Sequence, residues 1–192
     1  MKIAMWLSIP PDALPLRQVA ALAAAYAALA LPVFLERAMP QTVVLASLLL
    51  AVTLIVLSVV DLNTYRLPDM LTLPLMLTGI VLAWLLGWDS GLWRIASAAL
   101  GFGSAYAVAR LYETVRGRSG LGMGDAKLFA AAGAWVGAGS LASVLLYACA
   151  AALLASLVAH VRKSNLSLAT AIPFGPFLAA GIWLVWLYGP LT

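Results

Sequence analysis

The charges of this chain are spaced so that most of it has nowhere to go but a membrane. No acid or base interrupts the runs between Arg17 and Glu36, between Arg37 and Asp61, or between Asp69 and Asp89. Each run is close to the 20 or so apolar residues that a helix needs to cross the hydrocarbon core. A fourth run covers about 92–112, with Arg94 and Arg110 near its ends, where long side chains can snorkel. From Lys127 to His160 the uncharged stretch is too long for one span and too short for two full ones. The sequence Val136-Gly137-Ala138-Gly139-Ser140 is the expected break, giving a short fifth span and a normal sixth. A seventh covers 172–188. Apolar residues make up 65% of the 192 and charged ones 9%, far from the composition of soluble or disordered chains. The fold class expected is therefore all-α: a polytopic membrane protein built as a bundle of about seven transmembrane helices, retained as one domain over 1–192.

Seven spans place the termini on opposite sides. With the 61–69 loop in the cytoplasm, Lys2, Arg17, Arg66, Arg110, Arg116, Arg118, Lys127, Arg162 and Lys163 lie inside, and only Arg37 and Arg94 outside. Nine against two satisfies the positive-inside rule, so the N-terminus is expected inside and the C-terminus outside. Trp84, Trp88, Trp93 and Tyr188 fall where an aromatic belt would sit. The single cysteine, Cys149, and the single histidine, His160, exclude a Cys- or His-built metal centre. They read as a packing residue and an interfacial one. Nothing suggests a cofactor, a metal or a nucleic-acid partner.

Chemistry must then come from the acids. Asp12, Glu36, Asp89 and Glu113 fall in tails or loops as solvated charges. Asp61, Asp69 and Asp125 stand at the ends of apolar runs, where ionisable groups are costly. Asp69 follows Pro68 and opens the third helix, which suits a helix N-cap. Lys127, two residues beyond Asp125, faces away from it on a regular helix and reads as a positive-inside anchor. Asp61 sits at the C-terminal end of the second helix, where the dipole disfavours a carboxylate. Asp125 opens the fifth helix after glycines at 117, 120, 122 and 124. Irregular backbone at membrane depth is tolerated only where it is buried in protein or lines a wet cavity.

Parity links the two acids. Asp61 ends an even span and Asp125 begins an odd one, so they share a membrane face although 64 residues separate them. Two carboxylates held close do not both ionise easily; one keeps its proton. The helix ends assign that proton to Asp61. An ionised acid that takes a proton from water, beside a protonated one that donates to an amide oxygen, is the requirement for an aspartyl protease. Two other readings use the same acids: a proton-coupled transporter, which would show repeat symmetry and helices broken at mid-membrane, and a non-catalytic membrane partner.

Three segments carry a resemblance. Asp61-Leu-Asn-Thr-Tyr-Arg-Leu-Pro68-Asp69, Gly122-Met123-Gly124-Asp125-Ala126-Lys127-Leu128 and Ile172-Pro173-Phe174-Gly175-Pro176-Phe177 resemble, in order, the motifs of the type IV prepilin peptidases. The resemblance covers 42–190 and leaves 1–41 as a divergent N-terminal segment with the first span. It implies an intramembrane aspartyl endopeptidase of the bacterial inner membrane, with Asp61 and Asp125 as the catalytic pair. Pro68, Asp69, Gly122, Gly124, Lys127, Pro173, Gly175 and Pro176 would support the motifs or contact substrate. The last three would also shape the start of the final helix. The partners implied are the lipid bilayer and a prepilin or pseudopilin, cut after a glycine between its basic leader and its N-terminal apolar helix. Full-length members carry a cysteine-rich cytoplasmic insertion and methylate the trimmed pilin. The short, cysteine-free segment between the first two spans implies a peptidase-only form.

Overall fold

The computed structural model describes residues 15–37, 39–87, 90–117, 120–161 and 173–191. The described residues form seven α-helices: α1 (Leu16–Glu36), α2 (Gln41–Thr64), α3 (Asp69–Leu85), α4 (Gly91–Arg116), α5 (Met123–Val136), α6 (Leu141–Val161) and α7 (Gly175–Tyr188). Three stretches, Leu16–Glu36, Gln41–Thr64 and Ala138–Val158, are long and apolar enough to cross a membrane. α3 and α7 are shorter apolar helices. The expectations for Lys2, Asp12, Trp88, Asp89, Arg118, Arg162, Lys163, Ile172 and the His160 side chain fall outside the described residues.

Local chemistry ends each helix where the next must begin. Pro40 and Pro68, which cannot continue a preceding helix, sit at the N-caps of α2 and α3. Ser90 caps α4 by accepting the Trp93 N–H, and Gly117 closes that helix in the left-handed region. The expected break after Val136 is present: Gly137, at φ 82°, turns the chain out of α5, and Ala138–Ser140 form one 3₁₀ turn before α6.

The helix at the centre of the bundle is α5, which with α7 is the shortest at 14 residues. Along α5, Ala126 and Leu128 through Trp135 are buried without a gap. Its 14 residues rise about 21 Å, short of the roughly 30 Å hydrocarbon core. Small residues let its neighbours approach as closely as packing without a hydrophobic drive requires. A methyl group on Gly133 would strike the backbone of Ser97 in α4. Trp135 lies against Gly79 of α3 and donates its indole N–H to the Leu75 carbonyl at 2.7 Å. On the far side, α7 joins α5 to α2 and α1. There Trp186 donates to Ser47 Oγ at 2.8 Å, and Trp183 stacks on Tyr26 while donating to its carbonyl. Leucines, valines and the Trp84, Trp93 and Tyr188 side chains cover the outside, the surface that a lipid-facing bundle presents.

Two expectations are corrected here. Arg94 does not snorkel out: it is 8% exposed, and its guanidinium donates to the Trp135 carbonyl at 2.9 Å. A helix that stops inside the bundle leaves C-terminal carbonyls that need donors, and a buried Arg supplies one. Cys149 is exposed on the outer surface of α6 and does not pack inside the bundle.

Candidate active site

At one end of the bundle the last turns of α2 and α4 meet the first turns of α3, α5 and α7. Asp61 lies in the last turn of α2 and is 5% exposed. That turn is closed by Tyr65, whose N–H donates to the Asp61 carbonyl at 2.8 Å from a left-handed conformation, φ 54° and ψ 34°. Such a backbone costs a bulky L-residue on the order of 1–2 kcal/mol. The Asp61 carboxylate points away from the helix and accepts the Gly175 N–H at 3.0 Å. Gly175 is the first residue of α7, with Pro176 behind it, and its N–H belongs to the group of donors that a helix start leaves unpaired. A methyl at this position would lie 2.7 Å from Asp61 Oδ2, so only glycine lets α7 seat its amide on the acid.

Asp125 is the third residue of α5, within its first turn rather than at its cap. The N-cap is Gly122, which has no side chain to offer, and the Asp125 carboxylate reaches back to accept the Gly122 N–H at 3.3 Å. This is the return half of a capping box. Gly124 is needed for a different reason: a Cβ there would stand 2.9 Å from the Cβ of Leu67. Its bare backbone lets the α2–α3 loop close down on the first turn of α5.

The two carboxylates therefore reach one place. Asp61 and Asp125 line a single cavity of about 260 Å³ together with Tyr65, Arg66, Leu67, Gly122, Met123 and Gly124. Asp125 is half-buried.

Asp69 and Lys127 depart from expectation together. The cap of α3 is Pro68, and Asp69 makes no capping hydrogen bond. Its carboxylate instead takes the Lys127 ammonium on both oxygens, at 2.6 and 2.8 Å. Lys127 does face away from Asp125, but toward α3 and this partner rather than out as a free anchor. A proline at the cap fixes the backbone without help, so the acid is released for tertiary pairing. The parity that puts Asp61 and Asp125 on one face does the same for Asp69 and Lys127; that signal was present in the sequence. The role of the Gly175 amide was not, since nothing in one dimension says which helix start meets which acid. Pro173 lies outside the cavity lining, just before α7. Glu113, expected as a solvated charge, is exposed and pairs with Arg110 at 3.0 Å.

Comparison with known proteins adds a family. The sequence profile described as "Type IV leader peptidase family" matches residues 48–157, more than half of the chain. The chain is 38% identical over 149 residues to "Prepilin leader peptidase/N-methyltransferase" of Xanthomonas campestris pv. campestris, covering 74% of this chain and 50% of that protein. It is 37% identical over 151 residues to the protein of that name from Aeromonas hydrophila, covering 76% and 50%. The corresponding figures for the Neisseria gonorrhoeae protein are 33% over 147 residues, 74% and 48%. The chain spans about half the length of the curated relatives it matches. No solved structure matches it.

Proposed function

The chain belongs to the type IV leader peptidase family, and on that premise we propose that it is an aspartyl endopeptidase that removes the leader of a prepilin or pseudopilin at the cytoplasmic face of the bacterial inner membrane. The observation that carries the aspartyl reading is that Asp61 and Asp125, from opposed helix ends, line one cavity. Asp125, in the first turn of α5, is the ionised partner that takes a proton from water. Asp61, at the end of α2, holds the shared proton and gives it to the oxygen of the scissile amide. On collapse the roles reverse: Asp61 takes back the proton from the diol hydroxyl and Asp125 gives its proton to the leaving nitrogen. The Gly175 N–H orients the Asp61 carboxylate, and the Gly122 N–H orients that of Asp125. No cofactor is required by this scheme.

The cytoplasmic placement follows from the distribution of Lys and Arg. The peptidase-only form rests on these 192 residues containing a single cysteine, Cys149 in α6, and so no cysteine-rich insertion. The test is to incubate the purified chain in detergent with a type IV prepilin and sequence the N-terminus of the product. A new N-terminus immediately after the glycine of the leader is the expected result. An uncut prepilin overturns the proposal.

A further inference from the structure

Asp125 belongs to two cavities. Besides the mouth it shares with Asp61, its side chain stands at the head of a second void of about 100 Å³. This one descends along α5 to Phe129, one turn deeper on the same face, with Leu178 of α7 beside it. It lies in a seam. α4 packs along α5 and α6 packs mainly on α7, and among the described residues α4 and α6 share no packed interface. The rims of the seam are Val108 on α4 and Leu145 on α6, 61% and 44% exposed on the surface of the bundle. Apart from Asp125, the only polar side chain in it is Ser104, whose hydroxyl is already bonded to the Gly101 carbonyl of its own helix at 3.0 Å.

We infer that this seam is where the apolar segment of the substrate lies during cleavage, entering sideways from the bilayer between α4 and α6. The inference rests on the peptidase reading. A peptide bond brought to Asp125 has one of these cavities on either side, since Asp125 lines both. On one side the chain runs into the mouth beside Asp61 and Arg66. On the other it has only an apolar channel open to lipid, so that part of the substrate is an apolar helix seating side chains against Phe129 and Leu178. Helix-in-groove recognition takes anchors at i, i+3 or i+4 and i+7. A soluble peptide of the same scissile sequence would gain nothing from the seam.

Photo-cross-linking and kinetics test this with one substrate, a type IV prepilin carrying its leader and first apolar helix, in lipid vesicles. p-Benzoylphenylalanine is placed singly at Val108, Leu145 and Gly103 in the Asp61→Asn background, which holds the substrate uncut. Gly103 is the control, since a side chain there meets nothing within 4 Å. Cross-links from Val108 and Leu145 to the apolar segment, and none from Gly103, are expected. In the active enzyme Ser104→Trp should raise KM about tenfold with kcat within about twofold, the signature of lost uniform binding. Gly103→Trp should match the wild type. Wild-type cutting with no cross-link from either rim, or an unchanged KM in a folded Ser104→Trp enzyme, overturns the seam and leaves the peptidase standing. If the wild type does not cut, the peptidase reading falls and the seam with it. Should Ser104→Trp fail to fold, the cross-links decide alone.

Discussion

The ammonium of Lys127 lies 2.6 and 2.8 Å from the two carboxylate oxygens of Asp69, binding the first turns of α5 and α3 to each other two residues from Asp125. Both side chains are 30–39% exposed, so the pair adds little to stability; exposed pairs contribute about 0–1 kcal/mol. Its effect is positional, because it sets the rotation and depth of the turn that carries Asp125. Lys127→Met should lower kcat about tenfold or more while the thermal midpoint in detergent moves little, since small misplacements of reacting groups are costly. Asp69→Asn keeps one acceptor for Lys127 and should retain substantial activity. The exchange variant Asp69→Lys with Lys127→Asp should recover part of the loss. If Lys127→Met cuts at the wild-type rate, the pair does not position Asp125.

Gly175→Ala tests the contact between α7 and Asp61. The new methyl would stand 2.7 Å from Asp61 Oδ2, so either the acid turns away or α7 backs off, and the 3.0 Å amide contact is lost in both cases. Cleavage should fall about 100-fold, as it does when a preorganised donor is removed from a reacting group. Substrate cross-linking in the seam should persist. Unchanged kcat would mean that the Gly175 amide does not orient Asp61.

The dyad itself predicts that Asp61→Asn and Asp125→Asn each abolish cleavage to below about a thousandth, with neither effect adding to the other in the double variant. Insertion and expression should survive, since neither change adds a charge. Full activity in either single variant would remove that residue from the catalytic pair.

Methylation gives an independent readout. Supplied with S-adenosylmethionine and a prepilin, the chain should release a product of unmodified mass. A product heavier by one methyl group, made by this chain alone, would show that transfer needs no cysteine-rich insertion.

Arg94 predicts a separation of stability from activity. It donates to Trp135 at the end of α5 opposite Asp125. Loss of a buried, charge-assisted hydrogen bond costs about 1.5–3 kcal/mol. Arg94→Met should therefore lower the thermal midpoint in detergent clearly, while kcat at low temperature stays within a few-fold. A variant as stable as the wild type would argue against Arg94 as the cap of α5.

Hydropathy alone was enough to read the seven helices, the short fifth one and its break at Gly137, because the bilayer imposes a length on every apolar run. Parity was enough to bring Asp61 and Asp125 to one end of the bundle, because antiparallel neighbours alternate direction whatever their packing. Both are statements about depth along the membrane normal. What a one-dimensional pattern does not carry is rotation about each helix axis and the order in which helices surround one another. Those decided that Asp69 takes Lys127 instead of capping α3, that the start of α7 presents its Gly175 amide to Asp61, that Arg94 turns inward to the end of α5, and that a seam stays open beside Asp125. The three contacts join residues 58, 114 and 41 positions apart in the chain and are chosen by close packing, which hydropathy averages away.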